Sequence, residues 1–294
     1  MNVLSLFNGM SFCAMALESL DIKVNKYYSS EIDKYANHAA QALFPETIQL
    51  GDVTKWREWD IDWASIDLVT GGFPCQAWSM AGKQLGDKDE RGMLFWTMLD
   101  IMKHVKCHNP KAKFLIENVK MKKEFEQYIT THTENALGEV HKALINSALV
   151  SAQNRNRYYW TSSEIAQPED KGILLKDIID DGFVGRDNYV VNVGQMQPYP
   201  RDYKVRGLPR KERYEAFGDG SKSNACLARS DKNLLSSDGV NYRKLTPREC
   251  FRLQTVPEHH IDTLLNAGIS NTQLYKMCGN GWTMEVIAHI LKEL

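Results

Sequence analysis

Residues 113–119 read Lys113-Phe114-Leu115-Ile116-Glu117-Asn118-Val119, a short apolar run that becomes polar at its end. Such a run predicts a buried strand over residues 113–117, because strands covered on both faces are continuously apolar. Ligands of open α/β sheets bind at the carboxyl ends of the strands. The polar end of this run is therefore the first place to look for a functional site.

Short apolar runs alternate with longer amphipathic runs through about the first 160 residues. The sequence predicts further strands at 3–7, 26–31, 47–50 and 66–70, and helices at 13–20, 33–43, 92–106 and 121–130. This alternation predicts an α/β fold, in which helices cover both faces of a mixed, mostly parallel sheet.

The periodic pattern fails between residues 162 and 242, which are rich in Gly, Asp, Arg and Pro. We predict three parts: a catalytic and cofactor-binding domain over 1–161, a small irregular lobe over 162–242, and a segment over 243–294 that completes the first domain. Helices are predicted at 246–253, where Thr-Pro precedes Arg-Glu, and at 284–294.

The charge of the chain is nearly balanced, with a formal net charge of -1 over 294 residues. Residues 201–252 nevertheless carry 13 Lys and Arg against 7 Asp and Glu. A basic segment on an acidic body fits a face that docks on nucleic acid. A solvated lysine-rich surface would give the same count.

The six cysteines include no pair with Cys-x-x-Cys spacing, so we expect no zinc site and no other metal. The chain enters a strand-like run at Val3, which predicts no signal peptide. No apolar run is long enough to span a membrane. We therefore expect a cytoplasmic protein with reduced thiols and no membrane partner.

Cys75 lies in the run Gly71-Gly72-Phe73-Pro74-Cys75-Gln76-Ala77-Trp78-Ser79. The glycines permit a sharp turn after the predicted strand, and proline restricts the backbone directly before the cysteine. A thiol presented in this way is suited to nucleophilic attack as a thiolate. The alternative is a buried loop cysteine.

Two further segments carry candidate side chains. Glu117 follows an apolar strand, where a half-buried carboxyl group could act as a general acid, or alternatively as a helix cap or salt-bridge partner. Arg155 and Arg157 alternate in an extended segment, so both could grip a phosphate or a base edge. A strand with a solvated polar face is the other interpretation.

Taken together, these segments resemble the C5-cytosine-specific DNA methyltransferases of bacteria and phages. The resemblance rests on ordered matches along nearly the whole chain except the irregular lobe: Pro74-Cys75-Gln76, Asp89-x-Arg91-Gly92-x-Leu94-Phe95, Glu117-Asn118-Val119, Gln153-x-Arg155-x-Arg157, Arg243 to Glu249 with Arg252-Leu253-Gln254, and Gly279-Asn280-Gly281. It implies a Rossmann-like fold and methyl transfer from S-adenosylmethionine to cytosine C5. It also implies Cys75 as nucleophile, Glu117 at N3 of the base, and Arg157, with Arg155 beside it, at O2.

The resemblance also implies a cofactor site. Phe7 would pack on the adenine, Glu31 would accept from the ribose hydroxyls, and Asp52 would recognise the adenine amino group. The remaining positions expected to line this pocket are Gly9, Ser11, Val53, Gly71, Pro74, Leu94 and Asn280.

A third implication is contact with double-stranded DNA by a protein that acts as a monomer. Residues 76–91 would close over a cytosine flipped out of the duplex, unless they are merely a flexible loop. The irregular lobe corresponds in position to the target-recognition region. The expected DNA contacts are Gln76, Ser79, Gln84, Arg91, Arg201, Lys204, Arg206, Arg210, Lys211, Arg213 and Arg229.

The chain departs from the family pattern at three places. Ser11 replaces the second glycine of Phe-x-Gly-x-Gly, and Phe12 and Cys13 follow it where small residues are usual. This predicts a tighter or reshaped methionine end of the cofactor pocket. The run Gln254-Thr255-Val256-Pro257 replaces a Gly-Phe-Pro ending, and Trp282-Thr283 follows the closing glycine.

Three rival functions stay open at this point. An RNA methyltransferase acting on a tRNA loop would use the same scaffold, but the inserted lobe favours DNA. A catalytically silent DNA-binding regulator would keep the fold, but intact Cys75, Glu117 and Arg157 favour an enzyme. The third rival is an enzyme that forms another methylated or alkylated product, because Ser11, Phe12 and Cys13 alter the expected cofactor loop.

Overall fold

The computed structural model describes residues 1–74, 92–180, 191–193, 222–226, 228, 234–236 and 242–294. The chain forms two compact units. The first comprises Met1–Asn146, Asn156–Pro168 and Met284–Leu294, and the second comprises Ser147–Arg155 and Glu169–Thr283. The domain boundaries expected from the sequence, at 161/162 and 242/243, stay predictions.

The strands described are β1 Asn2–Leu6, β2 Lys26–Ser30, β3 Ile48–Gln49, β4 Leu68–Gly71, β5 Lys113–Val119, β6 His141–Asn146, β7 Gln153–Asn154, β8 Asn156–Thr161, β9 Val191–Val193, β10 Ser223–Asn224, β11 Leu234–Ser236 and β12 Tyr242–Lys244. The helices are α1 Phe12–Ser19, α2 Lys34–Leu43, α3 Met93–His108, α4 Lys123–Leu137, α5 Pro247–Leu253, α6 Glu258–Asn266, α7 Asn271–Asn280 and α8 Met284–Glu293. The predicted strands and helices named above are therefore confirmed, with ends displaced by at most two residues, except that α4 continues to Leu137, seven residues beyond its predicted end. Among the described residues, no helix is long and apolar enough to cross a membrane.

The first unit is built on a sheet whose described strands run in the order β3-β2-β1-β4-β5-β8-β6. Neighbours from β3 to β5 pair in parallel, whereas β8 is antiparallel to both β5 and β6. This confirms the predicted mixed, mostly parallel sheet. Asp33 begins α2 by accepting hydrogen bonds from the backbone N–H groups of Tyr35 and Ala36, at 2.9 and 3.4 Å.

The two faces of this sheet differ in chemistry. Leu6, Val69 and Ile116 belong to an apolar core that includes side chains of α3 and α4. Because side chains alternate along a strand, Ser5 and Thr70 lie on the opposite face, where both are buried. Their hydroxyls are hydrogen-bonded to each other at 3.2 Å, which satisfies a polar pair that would otherwise be costly to bury.

The second unit contains two small sheets, in the orders β10-β7 and β12-β11-β9, and the helices α5, α6 and α7. The predicted start of α5 is confirmed. Thr246 Oγ1 accepts from the backbone N–H of Glu249 at 3.2 Å, and the Glu249 carboxylate accepts from the N–H of Thr246 at 2.8 Å. Pro247 occupies the first turn, where its missing N–H costs no helical bond.

Thr255 joins α5 to α6 in a left-handed backbone conformation, with a φ of 56°. A β-branched residue rarely adopts this conformation, because its Cβ approaches the neighbouring carbonyl group. The glycine of the family pattern would meet no such clash at this position. The Thr255 hydroxyl donates to the Gln254 carbonyl at 2.7 Å.

We expect Thr255→Gly to raise the free energy of unfolding by about 0.5–1 kcal/mol, because relief of left-handed strain exceeds the added entropy of the unfolded chain. Chemical denaturation followed by circular dichroism measures the change. Thr263→Gly is the matched control, since Thr263 is exposed inside α6 and glycine there should lower stability by roughly 0.3–0.5 kcal/mol. Equal losses in both variants would contradict the strain at Thr255.

Candidate active site

Three strand ends meet at one edge of the main sheet. Leu6 of β1 pairs with Gly71 of β4, and Gly71 pairs with Ile116 of β5. The loops after β1 and β4 therefore leave the sheet side by side, next to the last residues of β5, Glu117 to Val119. A Cβ at Gly71 would lie 2.8 Å from Sδ of the buried Met98, so the Met98 side chain would have to shift to admit it.

The loop after β1 is joined to the end of β2 through Glu31. The backbone N–H of Gly9 donates to Glu31 Oε2 at 2.9 Å. Glu31 Oε1 accepts from the N–H groups of Ile32 and Asp33, at 2.8 and 2.9 Å. The structure thus brings Phe7, Gly9 and Glu31 together, and the half-exposed carboxylate keeps lone pairs for a ligand.

Asp52 lies at the next turn, held near β2 by a hydrogen bond from Ser30 Oγ to the Gly51 carbonyl at 2.8 Å. Its Oδ1 accepts from the backbone N–H of Thr54 at 2.9 Å and from Thr54 Oγ1 at 2.8 Å. These hydrogen bonds, the backbone one first, lower the pKa of Asp52. Asp52 is therefore an ionised acceptor at neutral pH.

The other residues expected around the cofactor lie in different settings. Val53 is buried in the apolar core, and Phe7 and Leu94 pack against that core while partly exposed. Pro74 is half-buried. Asn280 is the exposed last residue of α7, in the second unit, so its part in the cofactor pocket stays a prediction.

Asn118 fixes the start of the loop that leads to Cys75. Its Nδ2 donates to the carbonyl oxygen of Phe73 at 3.0 Å, and its Oδ1 accepts from the N–H of Val119 at 2.8 Å. Phe73 is buried, with its ring 5.1 Å from that of Phe95. Sequence reasoning matched Asn118 to a motif without assigning this role. The sequence feature that could have revealed it is an amide residue directly after the candidate carboxylate, at the end of an apolar strand.

Glu117 and Arg157 form a pair across β5 and β8. Arg157 Nε lies 3.1 Å from Glu117 Oε1, with side chains only 16% and 11% exposed. The antiparallel register places Glu117 opposite Tyr159 and Arg157 opposite Val119, so the two side chains are diagonal neighbours on one face. Arg157 Nη1 donates to the Asn156 carbonyl at 2.9 Å. Among the described residues, Nη2 of Arg157 makes no hydrogen bond.

Arg155 is placed differently from Arg157. It lies between β7, which ends at Asn154, and β8, which begins at Asn156, so the expected alternation along one extended strand is interrupted there. Arg155 is buried in the second unit. Its guanidinium donates to the carbonyl oxygens of Cys226, Gly279 and Gly281, at 3.2, 3.1 and 2.7 Å.

A buried amide network surrounds this arginine and was not anticipated from the sequence. Gln153 Oε1 accepts from the N–H of Cys226 at 3.0 Å, and its Nε2 donates to Gln254 Oε1 at 3.0 Å. Gln254 Nε2 donates to the Cys278 carbonyl at 2.7 Å. These bonds join the β7 segment to α5 and α7 within the second unit.

Several predicted site residues lie outside the described part of the chain. They are Cys75 and the expected DNA contacts Gln76, Ser79, Gln84, Arg91, Arg201, Lys204, Arg206, Arg210, Lys211, Arg213 and Arg229. Their roles stay predictions.

Comparison with known proteins bears on both units. A model of the C-5 cytosine-specific DNA methylases matches residues 1–195 and 201–294. The type II methyltransferase M1.ScrFI of Lactococcus lactis subsp. cremoris is 32% identical over 323 residues, which cover 99% of this chain and 77% of the relative. M.NlaX of Neisseria lactamica, also named a type II methyltransferase, is 29% identical over 315 residues, which cover 99% and 95%. A solved structure of a Spodoptera frugiperda DNMT2 mutant shares the fold, with a TM-score of 0.65, 19% identity and coverage of 99% and 98%.

Cys13 lies in the first turn of α1, directly after the loop that follows β1, and burial raises the pKa of its thiol to about 12. The thiol therefore stays protonated at pH 8, and the thiolate needed for alkylation forms only as the pH approaches that value. We expect iodoacetamide at pH 8 to label the exposed Cys107 in the native protein and to leave Cys13 unlabelled. Peptide mass spectrometry measures both. Labelling of Cys13 as fast as that of Cys107 would contradict the buried position, and labelling after unfolding is the control.

Proposed function

The chain belongs to the C-5 cytosine-specific DNA methylases, and from this premise we propose that Cys75 is the covalent nucleophile that activates cytosine for methylation. The protein is an enzyme that methylates C5 of cytosine in DNA. The observation that best supports the proposed chemistry is the Glu117–Arg157 pair beside Asn118, whose amide holds the backbone two residues before Cys75.

S-adenosylmethionine is the proposed methyl donor, and the first unit offers residues that suit it. The half-exposed Glu31 carboxylate would accept from the ribose hydroxyls, and Asp52 would accept from the adenine amino group. Gly9 has open space where a Cβ would stand, so a ligand can approach the backbone there. When bound, S-adenosylmethionine supplies the electrophilic methyl group that C5 accepts.

Cys75 acts on the neighbouring ring carbon. Its thiolate adds to C6 of cytosine, forming a sulfur–carbon bond and making C5 nucleophilic. After C5 has accepted the methyl group, a base, for which water can serve, removes the C5 proton. The sulfur–carbon bond then breaks and Cys75 leaves as a thiolate, so that the enzyme is regenerated.

Glu117 and Arg157 stabilise the negative charge that builds on the cytosine ring as the thiolate adds. Glu117, which is ionised in the pair with Arg157 and takes up a proton when the base binds, donates a hydrogen bond at N3 and stabilises the developing negative charge. Arg157 holds the O2 edge of the base through donors that the ion pair does not use. The ion pair keeps both side chains at the end of β5 before the substrate binds.

The substrate is double-stranded DNA, from which the target cytosine must be flipped out at a cost of roughly a few kcal/mol. Residues 76–91, with Gln84 near the middle, close over the flipped base. The lobe at 162–242 recognises a short target, and its basic residues contact phosphates or base edges. The relatives are named type II methyltransferases, and we propose the same setting, modification within a restriction-modification system, for a protein that acts as a monomer.

Nucleoside analysis tests this proposal. The protein is incubated with S-adenosylmethionine and, in separate reactions, with duplex DNA or tRNA. The digested nucleic acid is examined by mass spectrometry, and the variant Cys75→Ser is treated in the same way. We expect 5-methyldeoxycytidine with the parent protein and none with the variant, because a hydroxyl at this position is a far weaker nucleophile. Methylation of tRNA alone would favour an RNA substrate, and full activity of the variant would overturn Cys75 as nucleophile.

Lysine substitutions separate the roles of the two arginines, since lysine keeps the charge but loses the planar donor set. We expect Arg157→Lys to lower kcat by about 100-fold with little loss of stability, as for removal of a donor to a developing charge. We expect Arg155→Lys to lower the free energy of unfolding by about 1.5–3 kcal/mol, because carbonyl groups lose a charged donor.

Thermal unfolding and the initial rate of methyl transfer measure the two effects. Arg155→Lys with unchanged stability and a large loss of kcat would instead place Arg155 at the base.

A further inference from the structure

The loop after β1 adopts an unusual backbone conformation. Phe7, Gly9 and Ser11 all have positive φ values, of 54°, 58° and 71°. Glycine adopts this region freely, but residues with a side chain do so rarely. Ser11 stands where the family pattern has its second glycine, so the chain needs another way to hold this conformation.

Asn8 braces Ser11 from within the loop. Asn8 Nδ2 donates to Ser11 Oγ at 2.8 Å, and the backbone N–H of Ser11 donates to the Asn8 carbonyl at 3.2 Å. Ser11 is fully buried, so its hydroxyl could not exchange this partner for water. The Ser11 carbonyl accepts from the N–H of Met15 at 3.1 Å, and α1 therefore begins from the braced residue.

Tyr27 braces Asn8 in turn. The Tyr27 hydroxyl donates to Asn8 Oδ1 at 3.0 Å, and the backbone N–H of Asn8 donates to the Ser30 carbonyl at 3.2 Å. Burial raises the pKa of Tyr27, so its hydroxyl stays protonated and remains a donor. A chain of hydrogen bonds thus runs from β2 through Asn8 to Ser11.

Cys13 completes this interior cluster. Its thiol is buried within hydrogen-bonding reach of Thr70 and Tyr27. Two of the three unusual residues at positions 11–13, Ser11 and Cys13, therefore have polar partners inside the first unit. Their side chains are accommodated in the interior, beneath the backbone that carries Gly9.

We propose that Tyr27 and Asn8 are positioning residues that hold Ser11 in the left-handed conformation and so maintain the affinity of the loop for S-adenosylmethionine. This inference rests on the proposed function, since it takes residues 7–11 as part of the cofactor site. On this basis the serine does not tighten the methionine end of the pocket. The loop at residues 7–11 keeps the conformation that glycine at position 11 would adopt, but this conformation then depends on the hydrogen bond from Tyr27.

Titration calorimetry with S-adenosylmethionine, without DNA, tests the dependence. We expect Tyr27→Phe to raise Kd about fivefold, because the buried hydrogen bond from Tyr27 to Asn8 is lost. The value of kcat at saturating cofactor should be unchanged. Ser11→Gly in the same protein should restore Kd, because glycine needs no brace. Ser11→Ala, which removes the hydroxyl at the other end of the chain of bonds, should raise Kd to a similar extent.

Tyr28→Phe is the matched control, since Tyr28 lies next in β2 and its side chain belongs to the apolar core on the opposite face. Its Kd should equal that of the parent. The inference is overturned if Tyr27→Phe and Ser11→Ala bind as the parent does, or if Ser11→Gly leaves the loss in Tyr27→Phe uncorrected, as a general packing defect would. A parent protein that binds no S-adenosylmethionine would overturn the proposed donor, and this inference with it.

Discussion

Parallel pairing places Leu6 of β1, Gly71 of β4 and Ile116 of β5 side by side. The loops after β1 and β4 supply Gly9 and the approach to Cys75, and the end of β5 supplies Glu117 and Asn118, so the candidate site depends on this register. Displacing one strand by a single residue would move every side chain to the other face and bring the wrong residues to the edge. A side chain at Gly71 would require the buried Met98 to shift.

The face of the sheet under the loop at residues 7–11 carries several buried polar side chains. Ser5, Tyr27 and Thr70 are buried there, although an apolar face would be simpler to stabilise. Each has a hydrogen-bonding partner, and the cluster reaches the loop through Asn8. Directional bonds specify one backbone conformation, whereas apolar packing tolerates several. A loop with serine in a left-handed conformation benefits from that specificity.

The two arginines of the Gln-x-Arg-x-Arg segment show how closely spaced residues acquire different tasks. Arg157 pairs with a carboxylate at the edge of the main sheet, and Arg155 donates to backbone carbonyl groups within the second unit. A planar guanidinium suits both settings, because it offers several donors in fixed directions. Similar spacing and chemistry in a motif therefore do not imply similar contacts within the protein.

The sequence by itself determined the alternation of strands and helices, the beginnings of α2 and α5, and the motifs that identify the family. These follow from local periodicity, capping residues and chemical type, all of which are written in neighbouring positions. Only the tertiary structure decided that Glu117 meets Arg157, that Asn118 holds Phe73, and that Tyr27 reaches Asn8. Such contacts join residues far apart along the chain, and they depend on strand order and register, which local propensity does not specify.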